Sequence, residues 1–183
     1  MRTMRPTGII LAMFALAVGT SGALGQSQRQ PPSALKGHDS NAPVDVTADR
    51  IEVQDRSDRA IFAGNVHVRQ AELLLDTERL TVAYSGGADS GVQIRRLDAA
   101  GGVTVTSPSE KARGDFGIYD LDRKLITLIG NVRLARGANL VSGARLVIDL
   151  ESGRAVIDGG PPGVNQTGGR VTGHFTVPQR GRN

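Results

Sequence analysis

The sequence predicts an all-β domain, and three features predict it. Between Val44 and Asp158 apolar and polar residues alternate with period two, the pattern of half-buried strands. The gaps carry turn chemistry: Asp55-Arg56-Ser57-Asp58, Ser85-Gly86-Gly87-Ala88-Asp89, Asp120-Leu121-Asp122-Arg123 and Glu151-Ser152-Gly153. The pattern also repeats. Gly64-Asn65-Val66-His67-Val68 returns 66 residues later as Gly130-Asn131-Val132-Arg133-Leu134. At the same offset Phe62 aligns with Leu128, Leu74 with Leu140, Arg79-Leu80 with Arg145-Leu146 and Val82 with Ile148. A third copy, Gly101-Gly102-Val103-Thr104-Val105, stands between them. Glycine at these places predicts a bulge or a sharp bend, and the recurrence predicts one β unit repeated along an axis.

In chain order, residues 1–25 read as a secretory signal peptide. Arg2 and Arg5 form a basic start, Gly8 to Val18 an apolar run, and small residues follow. That run of 11 residues is short for a bilayer span, which takes about 20. Cleavage after Gly25 leaves Gln26 as the mature start, cleavage after Ala23 is the neighbouring option, and an uncleaved anchor is the alternative. Residues 26–43, rich in Gln, Pro, Ser and Asn, read as a flexible lead-in. Residues 44–158 are the folded β domain, with edge strands expected at Val44 to Gln54 and at Ala155 to Asp158. Residues 159–183 form a Gly/Pro-rich tail with one short strand between Val171 and Val177.

Composition narrows the function. The 183 residues include no cysteine and no tryptophan, which excludes disulfides, thiolate zinc sites and cysteine nucleophiles. The net charge is +4, yet Val44 to Asp158 holds 15 basic and 17 acidic residues. The excess base lies at the ends, and with so few aromatics the β domain is not a nucleic-acid surface. His38, His67 and His174 are far apart in the chain and form no metal-ligand spacing. No serine stands in a nucleophile motif and no phosphate-binding loop is present. The expectation is a protein that is not an enzyme and needs no cofactor. An envelope hydrolase with a carboxylate pair brought together in space is the competing class.

In register, the alternation gives one apolar face. It carries Ile51, Val53, Phe62, Val66, Val68, Leu80, Val82, Tyr84, Val103, Val105, Phe116, Ile118, Ile126, Leu128, Val132, Leu134, Leu140, Leu146 and Ile148. The opposite positions are mostly polar, among them Glu52, His67, Arg69, Thr81 and Thr104. Apolar faces of sheets must meet. An interior so rich in Val, Ile and Leu is either a closed core or a slot for flexible hydrocarbon, and composition alone favours the closed core.

The residues Thr47-Ala48-Asp49-Arg50-Ile51-Glu52-Val53, Ala63-Gly64-Asn65-Val66-His67-Val68, Leu73 to Tyr84 and the second copy Leu128 to Ile148 resemble the LptA/OstA family. The resemblance covers about Val44 to Asp158. It implies an open, twisted β-jellyroll of antiparallel strands whose two sheets form a V. The apolar residues above would then line a groove for the acyl chains of lipid A. It also implies a periplasmic bridge for lipopolysaccharide export, stacked head to tail with copies of itself. Its further partners would be the anchored periplasmic subunit of the inner-membrane export complex and the outer-membrane assembly protein. The ATPase of such a system is cytoplasmic, so this chain needs no catalytic residue. Arg79, Arg133 and Arg145 would meet lipid phosphates or stand solvated. A membrane-anchored LptC-like relative of the same fold and a closed-core structural protein remain the alternatives.

Overall fold

The computed structural model describes residues 35, 38–86, 91–160 and 169–176. By compactness the chain divides into residues 1–30 and 31–183, and every described residue belongs to the second unit. The signal-peptide expectation lies outside the described residues.

The strands are β1 (Val44–Thr47), β2 (Arg50–Gln54), β3 (Arg59–Gln70), β4 (Leu73–Ser85), β5 (Gln93–Thr106), β6 (Lys111–Asp120), β7 (Leu125–Arg136), β8 (Asn139–Asp149), β9 (Arg154–Asp158) and β10 (Thr172–His174). A 3-10 turn, Asp55–Ser57, joins β2 to β3. All pairings are antiparallel, and β3 to β8 run as a meander. β1 and β2 both pair with β3 at one end, and β9 and β10 both pair with β8 at the other. The fold class is therefore all-β, as expected. The two faces belong to one hydrogen-bonded sheet folded over on itself.

The fold line follows from the repeated glycines. Register shifts fall between Ala63 and Val66, Asp76 and Arg79, Ala100 and Val103, Arg113 and Phe116, and Ile129 and Val132. Bulges of this kind bend and twist a strand, and here they line up across neighbouring strands. At the two ends of the repeat the chemistry is the same. Gly64 and Asn65 take φ of 79° and 46°, and Gly130 and Asn131 take 82° and 47°. Asn65 Nδ2 donates to Asp49 Oδ2 at 2.9 Å, and Asn131 Nδ2 donates to Asp115 Oδ2 at 2.9 Å. Asparagine is among the residues that tolerate the left-handed region, so the pair Gly-Asn makes a corner with an acid opposite it, Asp49 between β1 and β2 or Asp115 on β6.

Each long strand crosses the corner, which gives two half-sheets. One inner row of the first half runs Ile51, Phe62, Leu80, Ala99, Gly117, Leu128, Leu146, Ile157. A row of the second half runs Val46, Val68, Leu75, Val105, Ala112, Leu134, Val141. Leu80, Leu128, Leu146, Val66 and Val132 are essentially removed from solvent. At Gly117 an added Cβ would stand 3.0 Å from Val103 Cγ1 and 3.2 Å from Leu128 Cδ2. The missing side chain lets the halves close together.

Opposite the corner, the lips of the halves are joined by polar groups. Buried Gln70, at the end of β3, accepts from Tyr119 Oη at 2.9 Å and pairs through the same oxygen with His38 Nε2 at 3.0 Å. Its Nε2 donates to the carbonyls of Ser40 and Ala42, each at 3.0 Å. Every hydrogen-bonding atom of the amide is used, as burial demands. Burial pushes the Tyr119 phenol above its ordinary pKa, against a hydrogen bond with Ser40 that lowers it.

Three sequence assignments are corrected. Phe116 and Ile118 face outward, with Phe116 55% exposed beside Ala100 and Ile129. The bulge at Gly114-Asp115 shifts the alternation by one, so Gly117 and Tyr119 take the inward positions. A one-residue slip of this kind moves every later side chain to the other face. Leu140 also points out, 40% exposed, opposite Ala135 and His174. Its neighbour Val141, opposite Leu134, lies on the inner row. The expected edges are found, and the tail supplies the short strand β10 on β8.

Candidate functional site

The interior is closed along most of its length and open at the β1/β2 end. Two residual cavities in the closed part measure about 10 Å³ each. At the open end lies a groove of about 1020 Å³ lined by β1, β2, β3, β4 and the start of β5. The cause is topological. Beyond β3 each half-sheet has one more strand, β1 on one side and β2 on the other, and then stops. Inner-row side chains there have no opposite number. Ile51 and Val53 are 56% and 57% exposed although they belong to inner rows.

Of the residues assigned to the apolar face, Ile51, Val53, Phe62, Val82 and Tyr84 meet in this groove. Val66, Val68, Leu80, Val103, Val105, Ile126, Leu128, Val132, Leu146 and Ile148 are buried in the closed core, and Leu134 packs against it. Val44, Val46, Ala60, Val92 and Ile94 line the groove without having been singled out. The alternation of Val44 and Val46 was a usable signal, whereas Val92 and Ile94 follow a glycine-rich turn that obscures it.

The groove is apolar with an acidic rim. Asp55 and Asp58 stand at its mouth, on the turn that joins β2 to β3. Partial burial raises the pKa of the Tyr84 phenol, and the charges of Asp55 and Asp58 raise it further. Arg79, Arg133 and Arg145 are not among the lining residues. They lie on outer rows, and Arg145 pairs with Asp158 at 2.9 Å. Among the described residues no group of His, Asp and Glu is arranged to hold a metal ion. The arrangement is an open, mostly apolar cleft with few polar groups, the usual form of a ligand pocket.

The model for the family described as "LptA/(LptD N-terminal domain) LPS transport protein" matches residues 45–154. The chain belongs to this family. The family is one of transport proteins and not of enzymes. An uncharacterised protein of Rhizobium meliloti (strain 1021) is 29% identical over 168 residues, covering 85% of this chain and 90% of that protein. The crystal structure of LptH, the LptA-homologous periplasmic component of the lipopolysaccharide transport device of Pseudomonas aeruginosa, superposes with a TM-score of 0.66. The match covers 76% of this chain and 99% of LptH at 18% identity. At that identity the likeness establishes the LptA-like fold.

Proposed function

We propose that this LptA-like protein works in the periplasm, after removal of residues 1–25, as a lipopolysaccharide-binding bridge. It shields lipid A acyl chains in the groove between β1 and β2. The observation that carries this reading is an apolar groove of about 1020 Å³ opening at an unpaired sheet end. Each methylene buried there contributes roughly 0.8 kcal/mol, so six of them supply about 5 kcal/mol without directional contacts. Low specificity for chain detail suits a carrier that must also release its cargo. The sugars and phosphates stay in water beyond the rim.

Edges at both ends support the bridging part. A free strand offers its main chain to another chain, and a contact between unlike ends propagates without closing a ring. Its partners are a second copy head to tail, the anchored periplasmic subunit of the inner-membrane export complex, and the outer-membrane assembly protein.

Native mass spectrometry of the protein purified gently from the periplasm tests the cargo. The wild type and Arg133→Asp should carry glycolipid, and Phe62→Asp should lose it with the fold retained by circular dichroism. Protein that emerges apo and takes up no added lipopolysaccharide would sink the reading and leave a closed-core β protein. The same spectra give the mature start. A mass beginning near Gln26 supports export, and an intact N-terminus in the membrane fraction favours the anchored LptC-like relative.

A further inference from the structure

The closed part of the interior is closed in part by the lead-in. Leu35, 3% exposed, belongs to the hydrophobic core although it precedes every strand. It surrounds one of the small cavities together with Val105, Ala112 and Leu134 of one half-sheet and Ile148 of the other. Its position is thus between the halves, on the side away from the corner. Its carbonyl accepts from the His38 amide at 3.1 Å, and His38 is tied to Gln70. Gln70 in turn holds the carbonyls of Ser40 and Ala42 and the Tyr119 hydroxyl. Residues 38–43 therefore run along the lips toward β1, fastened at one buried amide.

We propose that Leu35 is an intramolecular plug. It occupies the slot between the half-sheets where a hydrocarbon chain would lie if it extended inward from the β1/β2 groove, and the Gln70 cluster is the catch that holds it. This rests on the groove being the lipid site and adds a regulation of that site. The open end accepts an acyl chain freely, and the chain advances toward β7 and β8 only when Leu35 is displaced. Two features fit that role. The plug is one aliphatic side chain, equivalent in chemistry to the cargo it would exchange with. The catch holds the segment by hydrogen bonds alone, two of them to main-chain carbonyls and one to the His38 ring, and water can replace each once the segment lifts.

Photocrosslinking with lipopolysaccharide tests the plug, with benzoylphenylalanine placed at Phe62 in the groove or at Leu134 beside the plug. In the otherwise wild-type mature protein, lipid should label strongly from Phe62 and at least fivefold more weakly from Leu134. In Leu35→Ser, and in Leu35→Ala, which puts no polar atom into the interior, labelling from Leu134 should rise severalfold toward that from Phe62. Labelling from Phe62 should not change. Equal labelling from Leu134 with and without the Leu35 side chain, while Phe62 labels, overturns the plug and leaves the groove standing. No labelling from Phe62 in any background overturns the groove itself and the plug with it.

Discussion

Gly117 shows how much one residue decides. It is the place in its inner row where no side chain projects, and Val103 of the other half-sheet occupies the space. The cost of filling it is overpacking with no backbone strain. Gly117→Val should lower stability by about 1–3 kcal/mol, read as a shift of the urea midpoint with an unchanged slope. A midpoint equal to that of the wild type would mean the halves are not in contact there. Phe62 and Leu128, equivalent in the sequence repeat, separate at this scale too. Phe62 lines the groove, whereas Leu128 is 0% exposed in the closed core. On the proposed function a charge at Phe62 should change binding and leave the fold, while a charge at Leu128, buried without a partner, should unfold the domain.

At the scale of elements, the strands are long because each is bent. β3, β4, β5, β6, β7 and β8 each run through the corner, so one strand serves both half-sheets. The corner depends on backbone positions that an ordinary side chain resists. At Gly64, with φ of 79°, an added Cβ would come 2.5 Å from Asp49 Oδ2, and Gly130 is placed in the same way against Asp115. Gly64→Ala and Gly130→Ala should each destabilise by about 1–3 kcal/mol, from the left-handed backbone and the collision together. Asp49→Ala combined with Gly64→Ala removes the collision with the carboxylate and leaves the backbone strain and a tight Cβ contact of 3.1 Å, so a double-mutant cycle should show less than additive losses. Strict additivity would separate the acid from the corner.

For the whole molecule, asymmetry of the ends matters most. The β1/β2 end is splayed around the groove, while Leu150 and Ile157 pack against the core near β9. Stacking head to tail would set a covered end against an open one and roof the groove with the edge of the next copy. A lysine on an exposed edge is a recognised obstacle to strand addition. Val156, 42% exposed on β9, is suited to it. Sedimentation of the mature protein should show mass rising with concentration, and Val156→Lys should keep it monomeric over the same range. A wild type that stays monomeric throughout would remove the bridging part of the proposed function.

Period-two alternation and turn residues are local chemistry, so the sequence by itself determined the all-β class, the edges and the corners at Gly64-Asn65, Gly101-Gly102 and Gly130-Asn131. The Gly114-Asp115 bulge was not legible. Asp115 also matches the acid that an exposed strand would carry, and its role emerges only opposite Asn131. The inward or outward direction of Phe116 and Ile118 was lost with it. The division of the apolar face into core and groove was also beyond the sequence, because Ile51 and Leu128 carry the same local pattern. What distinguishes them is whether another half-sheet stands opposite, and that depends on strands far away in the chain. Leu35 is the extreme case. In a stretch of polar and proline residues a single leucine has no period, and only the tertiary structure, by bringing Val105, Ala112 and Leu134 of one half-sheet and Ile148 of the other around it, gave it a place.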